Sequence, residues 1–442
     1  MSLHRLDLRG TSAASMAAAL PRPPEGAAFP TDAVREVIGR VRREGDAAVR
    51  ALTARFDGVE VADLRVGDDE LRHAAQAVDV ELTQALELAY RRILAYHVDD
   101  AHTPGGDYES DGVLVRRVVR PVGRAGIYAP GGRARYPSTV LMCAAPARVA
   151  GVEELVLCVP PGPSGSVAPE TLAAAVIAGI DEVYRVGGAQ AIAAMAYGTE
   201  SIRPVDVIVG PGNRYVTEAK RQVAGTVGVP AGLAGPSEVV VVADETTPAA
   251  WAAIDVVVQA EHGPDGLAWL VTWAPETADA VTAEVDRLVA ASPRRADLEQ
   301  TLASGGYCVV VDGPAEALAV SNAVAPEHLE LLVDGAEALL PLVRSAGAVF
   351  LGPYSPASVG DYIAGPNHVL PTARTARFAS ALRVDDFRTH IHAISVDEAS
   401  LARLAPHVAT LARAEGLPAH AASVTARARV RDEEPRSAAG PS

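Results

Sequence analysis

The 442-residue chain is poor in the residues that would mark several common protein classes. It has three cysteines, Cys143, Cys158 and Cys308, far apart and with no CxxC pair, so neither a disulfide framework nor a thiolate zinc site fits. It has a single lysine, Lys220, and no GxxxxGK[ST] around it, so Schiff-base and phosphate-loop lysine chemistry have no obvious home. Basic residues are outnumbered, 39 Lys+Arg against 55 Asp+Glu, for a formal net charge of −16. Nucleic acid and anionic membrane both need a basic footprint and are not the expected partners. No apolar run approaches the roughly 18 residues of a membrane span, and the first twenty residues scatter Arg5, Asp7 and Arg9 through a short Ala-rich stretch. The expectation is a soluble cytoplasmic protein.

Hydrophobic residues make up 49% of the chain and charged residues 21%, enough for large cores in roughly two to four domains. The first hundred residues have helical spacing, with Thr31-Asp32 opening one segment and ELTQALELAYRRILAYH forming another. Residues 113–120 (VLVRRVVR) look like a strand. ELVLCV, EVYRVGG and VDVIVGPGN then each precede a helical stretch, three β-turn-α units that imply a parallel sheet wrapped by helices. A second series begins at EVVVVAD and runs through LAWLVTW, YCVVVDG and AVFLG. The pattern predicts an α/β protein with two Rossmann-like parallel-sheet lobes, a helical N-terminal segment and a small helical C-terminal domain. We draw the boundaries as an N-terminal arm at 1–26, a first α/β domain from 27–127 and 239–382, a second from 128–238, a C-terminal helical domain at 383–428 and a disordered tail at 429–442.

Three strand-end turns carry a polar side chain each: Tyr128 before APGG, Gln190 at the end of VGGAQ, and Asn213 in GPGN. None is a complete GxGxxG, and each could be an ordinary turn. Together, at helix N-termini that favour anions, they suggest a nucleotide site. In the second lobe Gln259 and His262 share a helix face. They are either a satisfied core pair or, with Asp361 in SVGDYIAGPNH, an oxygen and imidazole set suited to zinc. Pro326-Glu327-His328 reads as the first turn of a helix, where the dipole would keep the histidine neutral and able to accept a proton. Glu415 and His420 flank the helix-breaking GLPA. His390 and His392 have HxH spacing but lie late in a polar segment, as solvated surface residues would.

These motifs occur in one order: GIYAPGG, VGGAQAIAAMAYGTE, GPGNRYVTEAKRQV, AGPSEV, QAEHGPD, PEHLE, GDYIAGPNHVLPT and AEGLPAH. As a set, over residues 30–425, they resemble histidinol dehydrogenase. The resemblance implies a homodimer with one Zn²⁺ per subunit that uses two NAD⁺ to take L-histidinol through a bound aldehyde to L-histidine, the last steps of histidine biosynthesis. It assigns Gln259, His262, Asp361 and a partner-supplied His420 to zinc, and Glu327 and His328 to acid–base catalysis. Tyr128, Gln190 and Asn213 would meet NAD. Ser237, Gln259, His262, His328, Asp361, Glu415 and His420 would meet the substrate. Where the family often has glycine after HVLPT, this chain has Ala373-Arg374. Two rival readings are a paralogue acting on another small amino alcohol or diol, and a zinc hydrolase that would leave the three turns without purpose.

Overall fold

A computed structural model describes residues 3–21, 29–101, 106–131, 135–230, 237–261 and 266–428. His262 and the tail 429–442 lie outside the described residues, as do 1–2 and 22–26 of the arm. The chain divides into two units: residues 1–101 with 122–387, and residues 102–121 with 388–442.

The first unit contains two parallel sheets. The larger has the order β1-β10-β9-β8-β11-β12, formed by His4–Asp7 (β1), Gly306–Val310 (β10), Leu267–Thr272 (β9), Glu238–Ala243 (β8), His328–Leu332 (β11) and Ala348–Leu351 (β12). The smaller has the order β6-β5-β4-β7, from Glu182–Tyr184 (β6), Glu154–Cys158 (β5), Arg124–Tyr128 (β4) and Val207–Val209 (β7). Central strands such as EVVVVA are buried on both faces, which is why they read as unbroken apolar runs. Period-2 alternation divides each strand between two cores: Val239 and Val241 face one helical layer, Val240 and Val242 the other.

The helices at 31–44, 46–57, 68–77 and 80–100 pack on the smaller sheet, contrary to the boundary that joined 27–127 to 239–382. Val34, Val41 and Leu52 share a core with Val156 and Tyr184, and Leu86 and Ile93 share one with Leu141 and Leu157. Apolar spacing reveals which face a helix buries but not which sheet receives it. The arm is also more than an arm, because β1 extends the larger sheet at its edge. The loop at 363–370 ties the lobes together: Arg92 Nε donates to the Ile363 carbonyl at 2.6 Å, and Asn367 Nδ2 to the Met142 carbonyl at 2.6 Å.

The second unit combines an antiparallel sheet, β13-β3-β2, with two helices, Glu398–Ala414 and Pro418–Ala428. Its strands are Asp107–Ser110 (β2), Val113–Pro121 (β3) and Arg388–Val396 (β13). The strand at 388–396 falls where helix was expected. Its β-branched residues, Thr389, Ile391, Ile394 and Val396, pair with Arg120, Val118, Val115 and Val113 of the sequence-distant β3, a pairing that local spacing does not reveal. His390 and His392 are exposed on it. Among the described residues no helix is long and apolar enough to cross a membrane.

Candidate active site

In the smaller sheet the chain builds β4, β5 and β6 outward in one direction and then returns to place β7 on the other side of β4. The reversal leaves a crevice at the carboxyl ends of β4 and β7, the usual ligand position in such sheets. Tyr128 ends β4 there and is 3% exposed. Its hydroxyl accepts a hydrogen bond from Gly188 N at 3.1 Å, and burial pushes the phenol up to about 12, so it keeps its proton. Gly210, at φ +100°, lies so close that a Cβ on it would stand 2.1 Å from the Tyr128 carbonyl oxygen. The first turn is therefore in contact with both of the others.

Gln190, on the helix Gly188–Tyr197, is 1% exposed, and neither atom of its amide has a hydrogen-bond partner among the described residues. An unpaired buried amide is costly unless a ligand completes it. Asn213 has a clear local role: Oδ1 accepts from Tyr215 N at 3.0 Å and Val216 N at 3.2 Å, capping the helix Arg214–Val223. Three turns, two helix N-termini and an unsatisfied amide at a switch point fit a dinucleotide.

The second cluster lies at the opposite, amino ends of the larger sheet's strands. The Pro326-Glu327-His328 segment does not start a helix. Helix Pro314–Val324 ends at Ala325 in the left-handed region (φ 52°), and His328 is the first residue of β11. A residue preceding proline is kept out of the right-handed helical region, which ends the helix before Pro326. No helix dipole acts on His328. It is 6% exposed, with Nε2 3.3 Å from Asp361 Oδ1 and Nδ1 3.8 Å from Glu327 Oε2. Burial opposes the imidazolium, but Glu327 and Asp361 outweigh it and push His328 up to about 9. The expected helix start is corrected to a strand start, with the imidazole of His328 flanked by two carboxylates.

Glu327 Oε2 also accepts from Glu238 N at 3.3 Å, which joins β11 to the start of β8 just after the half-buried Ser237. Burial and the neighbouring Glu327 push Glu238 up to about 8. Asp361 sits on a short helix, Ala357–Tyr362. His368 Nδ1 donates to the Asp361 carbonyl at 2.6 Å, and its Nε2 lies 3.4 Å from Thr139 Oγ1. This fixes the imidazole tautomer and connects the cluster to the helix that follows the Tyr128 turn.

Gln259 is buried near the end of helix Ala249–Ala260, and its Nε2 has no partner among the described residues. Glu415 and His420 belong to the second unit, and both are exposed. Among the described residues no three His, Cys, Asp or Glu side chains gather to hold a metal ion. Glu238 and Glu330 escaped the sequence reading. The signal was a lone acid at the head of, or within, an otherwise apolar strand.

A family model described as histidinol dehydrogenase matches residues 21–428. The chain belongs to the histidinol dehydrogenase family. It is 50% identical over 396 residues to the histidinol dehydrogenase of Synechococcus sp., covering 89% of this chain and 91% of that one. The histidinol dehydrogenase of Moorella thermoacetica is 48% identical over 398 residues, 89% of this chain and 93% of its own. The crystal structure of histidinol dehydrogenase from Elizabethkingia anophelis superposes with a TM-score of 0.91 at 35% identity, covering 98% of this chain and 99% of that one. As a histidinol dehydrogenase, this chain is an NAD-dependent oxidoreductase acting on a CH–OH group, as its motifs implied. Neither the paralogue nor the hydrolase reading finds support in these relatives.

Proposed function

We propose that this chain oxidises L-histidinol to L-histidine in two hydride transfers to NAD⁺ through a bound aldehyde, with Glu327 and His328 as its acid–base residues. The observation that carries this reading is the buried contact of His328 with two carboxylates, Glu327 on one side and Asp361 on the other. An imidazole and two carboxylates able to exchange its proton stand together, largely buried.

The donor set suits zinc: an amide from Gln259, a carboxylate from Asp361, and imidazoles from His262 and from His420 of the partner subunit. Zinc bound there would orient the substrate and polarise its hydroxyl, and being redox-inert it would leave the electrons to NAD⁺. Asp361 lies within reach of the His328 proton and would be one of the zinc ligands. His328 then takes the hydroxyl proton as hydride leaves the carbinol carbon for NAD⁺. Glu327 deprotonates a water that adds to the aldehyde, and the hydrate gives a second hydride to a fresh NAD⁺. Tyr128, Gln190 and Asn213 hold the dinucleotide, and Ser237 and Glu415 hold the substrate.

We also infer a homodimer in which Glu415 and His420 complete the other subunit's site. Both are exposed on the single chain, and the same unit exposes Ile391, Ile394 and Leu411. Apolar exposure of that kind marks an interface. The three cysteines are buried free thiols, as a reducing compartment keeps them, which supports a cytoplasmic enzyme.

The test is His328→Asn and Glu327→Gln. His328→Asn should lower turnover from histidinol by on the order of 100-fold or more. Glu327→Gln should impair oxidation of supplied histidinaldehyde more than the first hydride transfer. Turnover of His328→Asn within a few-fold of the parent would overturn the assignment.

A further inference from the structure

Glu330 has no role in the reaction just described, yet it is 1% exposed and lies on β11 two residues beyond His328, on the same strand face. Its Oε1 accepts from Ala357 N at 2.9 Å, the first residue of the short helix that carries Asp361. Its carboxyl also makes a hydrogen bond to Asp255, which sits one turn before Gln259 on the helix Ala249–Ala260. Oxygen-to-oxygen contact between two carboxyls is attractive only if one of them carries a proton. The hydrogen bond between the two carboxyls therefore holds one proton between Glu330 and Asp255.

We propose that Glu330 is a positioning residue that acts as a neutral acid, donating to Asp255 and accepting from Ala357 N, and so fastens the helix of Gln259 and the helix of Asp361 to the strand that opens with His328. Burial and the facing Asp255 push Glu330 up to about 9, in keeping with a retained proton at neutral pH. The charged groups facing it are Asp255 from the helix and His328 along its own strand; the third element offers a backbone N–H. Residues that hold ligands from behind typically change metal affinity 10- to 100-fold when removed, on the order expected here. The inference rests on the proposed assignment of Gln259 and Asp361 to zinc.

Glu330→Gln keeps one donor and one acceptor and needs no proton; Glu330→Leu keeps neither. With the full-length protein, Zn²⁺ affinity is read by competition with a chromophoric chelator, alongside kcat and the KM for NAD⁺. Glu330→Gln is expected within about threefold of the parent in both zinc affinity and kcat. Glu330→Leu is expected to bind zinc at least about tenfold more weakly with an unchanged KM for NAD⁺. Asp255→Leu should reproduce that loss, and the double variant should lose no more than either single one.

A second arm reads the proton without zinc or turnover. The folded pair holds one proton between roughly pH 5 and 9 and the unfolded chain holds none, so the parent loses stability relative to Glu330→Gln as pH rises. The ratio of their folding constants should change about tenfold per pH unit in that window. Parallel stability curves would overturn the shared proton, and Glu330→Leu with parental zinc affinity would overturn the positioning role. If the parent itself binds no zinc, the functional reading fails, while the proton arm still decides the pairing. If Glu330→Leu does not fold, Glu330→Gln and Asp255→Leu carry the test.

Discussion

Gly210 brings the GPGN turn into close backbone contact with the end of β4. A Cβ there would stand 2.1 Å from the Tyr128 carbonyl oxygen and 3.1 Å from its carbonyl carbon, both backbone atoms that cannot rotate away. The residue is also at φ +100°, where an L side chain costs of order 1–3 kcal/mol. Gly210→Ala therefore forces the GPGN turn away from β4 by about 1 Å, and a misplacement of that size at a reacting or binding group costs on the order of 100-fold. We expect the KM for NAD⁺ to rise at least about tenfold, the KM for histidinol to change little, and NAD⁺ to lose its protection against thermal unfolding. Gly225 is the control: its φ is +93°, but nothing lies within 4 Å of the Cβ position. Gly225→Ala should show the backbone strain in its melting temperature and leave the KM for NAD⁺ unchanged. Equal effects of the two variants on NAD⁺, or none from Gly210→Ala, would refute the claim that this close approach shapes the dinucleotide site.

Other expectations concern buried charge and strained backbone. Arg124 is buried with Glu154 at 2.7 Å and Glu182 at 2.6 Å, so Arg124→Met should destabilise the smaller lobe by about 3–5 kcal/mol, measured by denaturant unfolding. Burial alone would raise Glu182, but Arg124 and Tyr184 hold it below the usual carboxylate range. A lowered acid stabilises above its unfolded value, near 4.5, and that stability is lost as pH falls through the folded value; Arg124→Met should flatten this acid limb. Ala373 and Arg374 lie at φ 52° and 63°, the conformation glycine favours, so Arg374→Gly should gain about 0.5–1 kcal/mol in thermal unfolding, while a loss would show that the Arg374 side chain contributes through Glu238.

The three β-turn-α units and the central strands of both parallel sheets were legible because those strands are short buried apolar runs. Tyr128, Gln190 and Asn213 could be named from those turns, and their contact through Gly188 and Gly210 followed from the strand order. The error at His328 had a specific origin. Proline, glutamate and histidine after an apolar stretch fit a helix start and a strand start equally well, and only the pairing of β11 with β8 and β12 decides between them. The β13 strand was missed because its partner is distant in sequence, and Glu330 because an acid amid HLELL has no local signature of a shared proton.

The central claim is a four-electron oxidation at a zinc-supported acid–base site. The most direct measurement is the NADH formed per L-histidinol consumed, with zinc present, after chelation, and after zinc is restored. Two NADH per substrate, abolished by chelation and recovered with zinc, is the predicted result. A folded, zinc-loaded protein that forms one NADH per histidinol, or none, would contradict it.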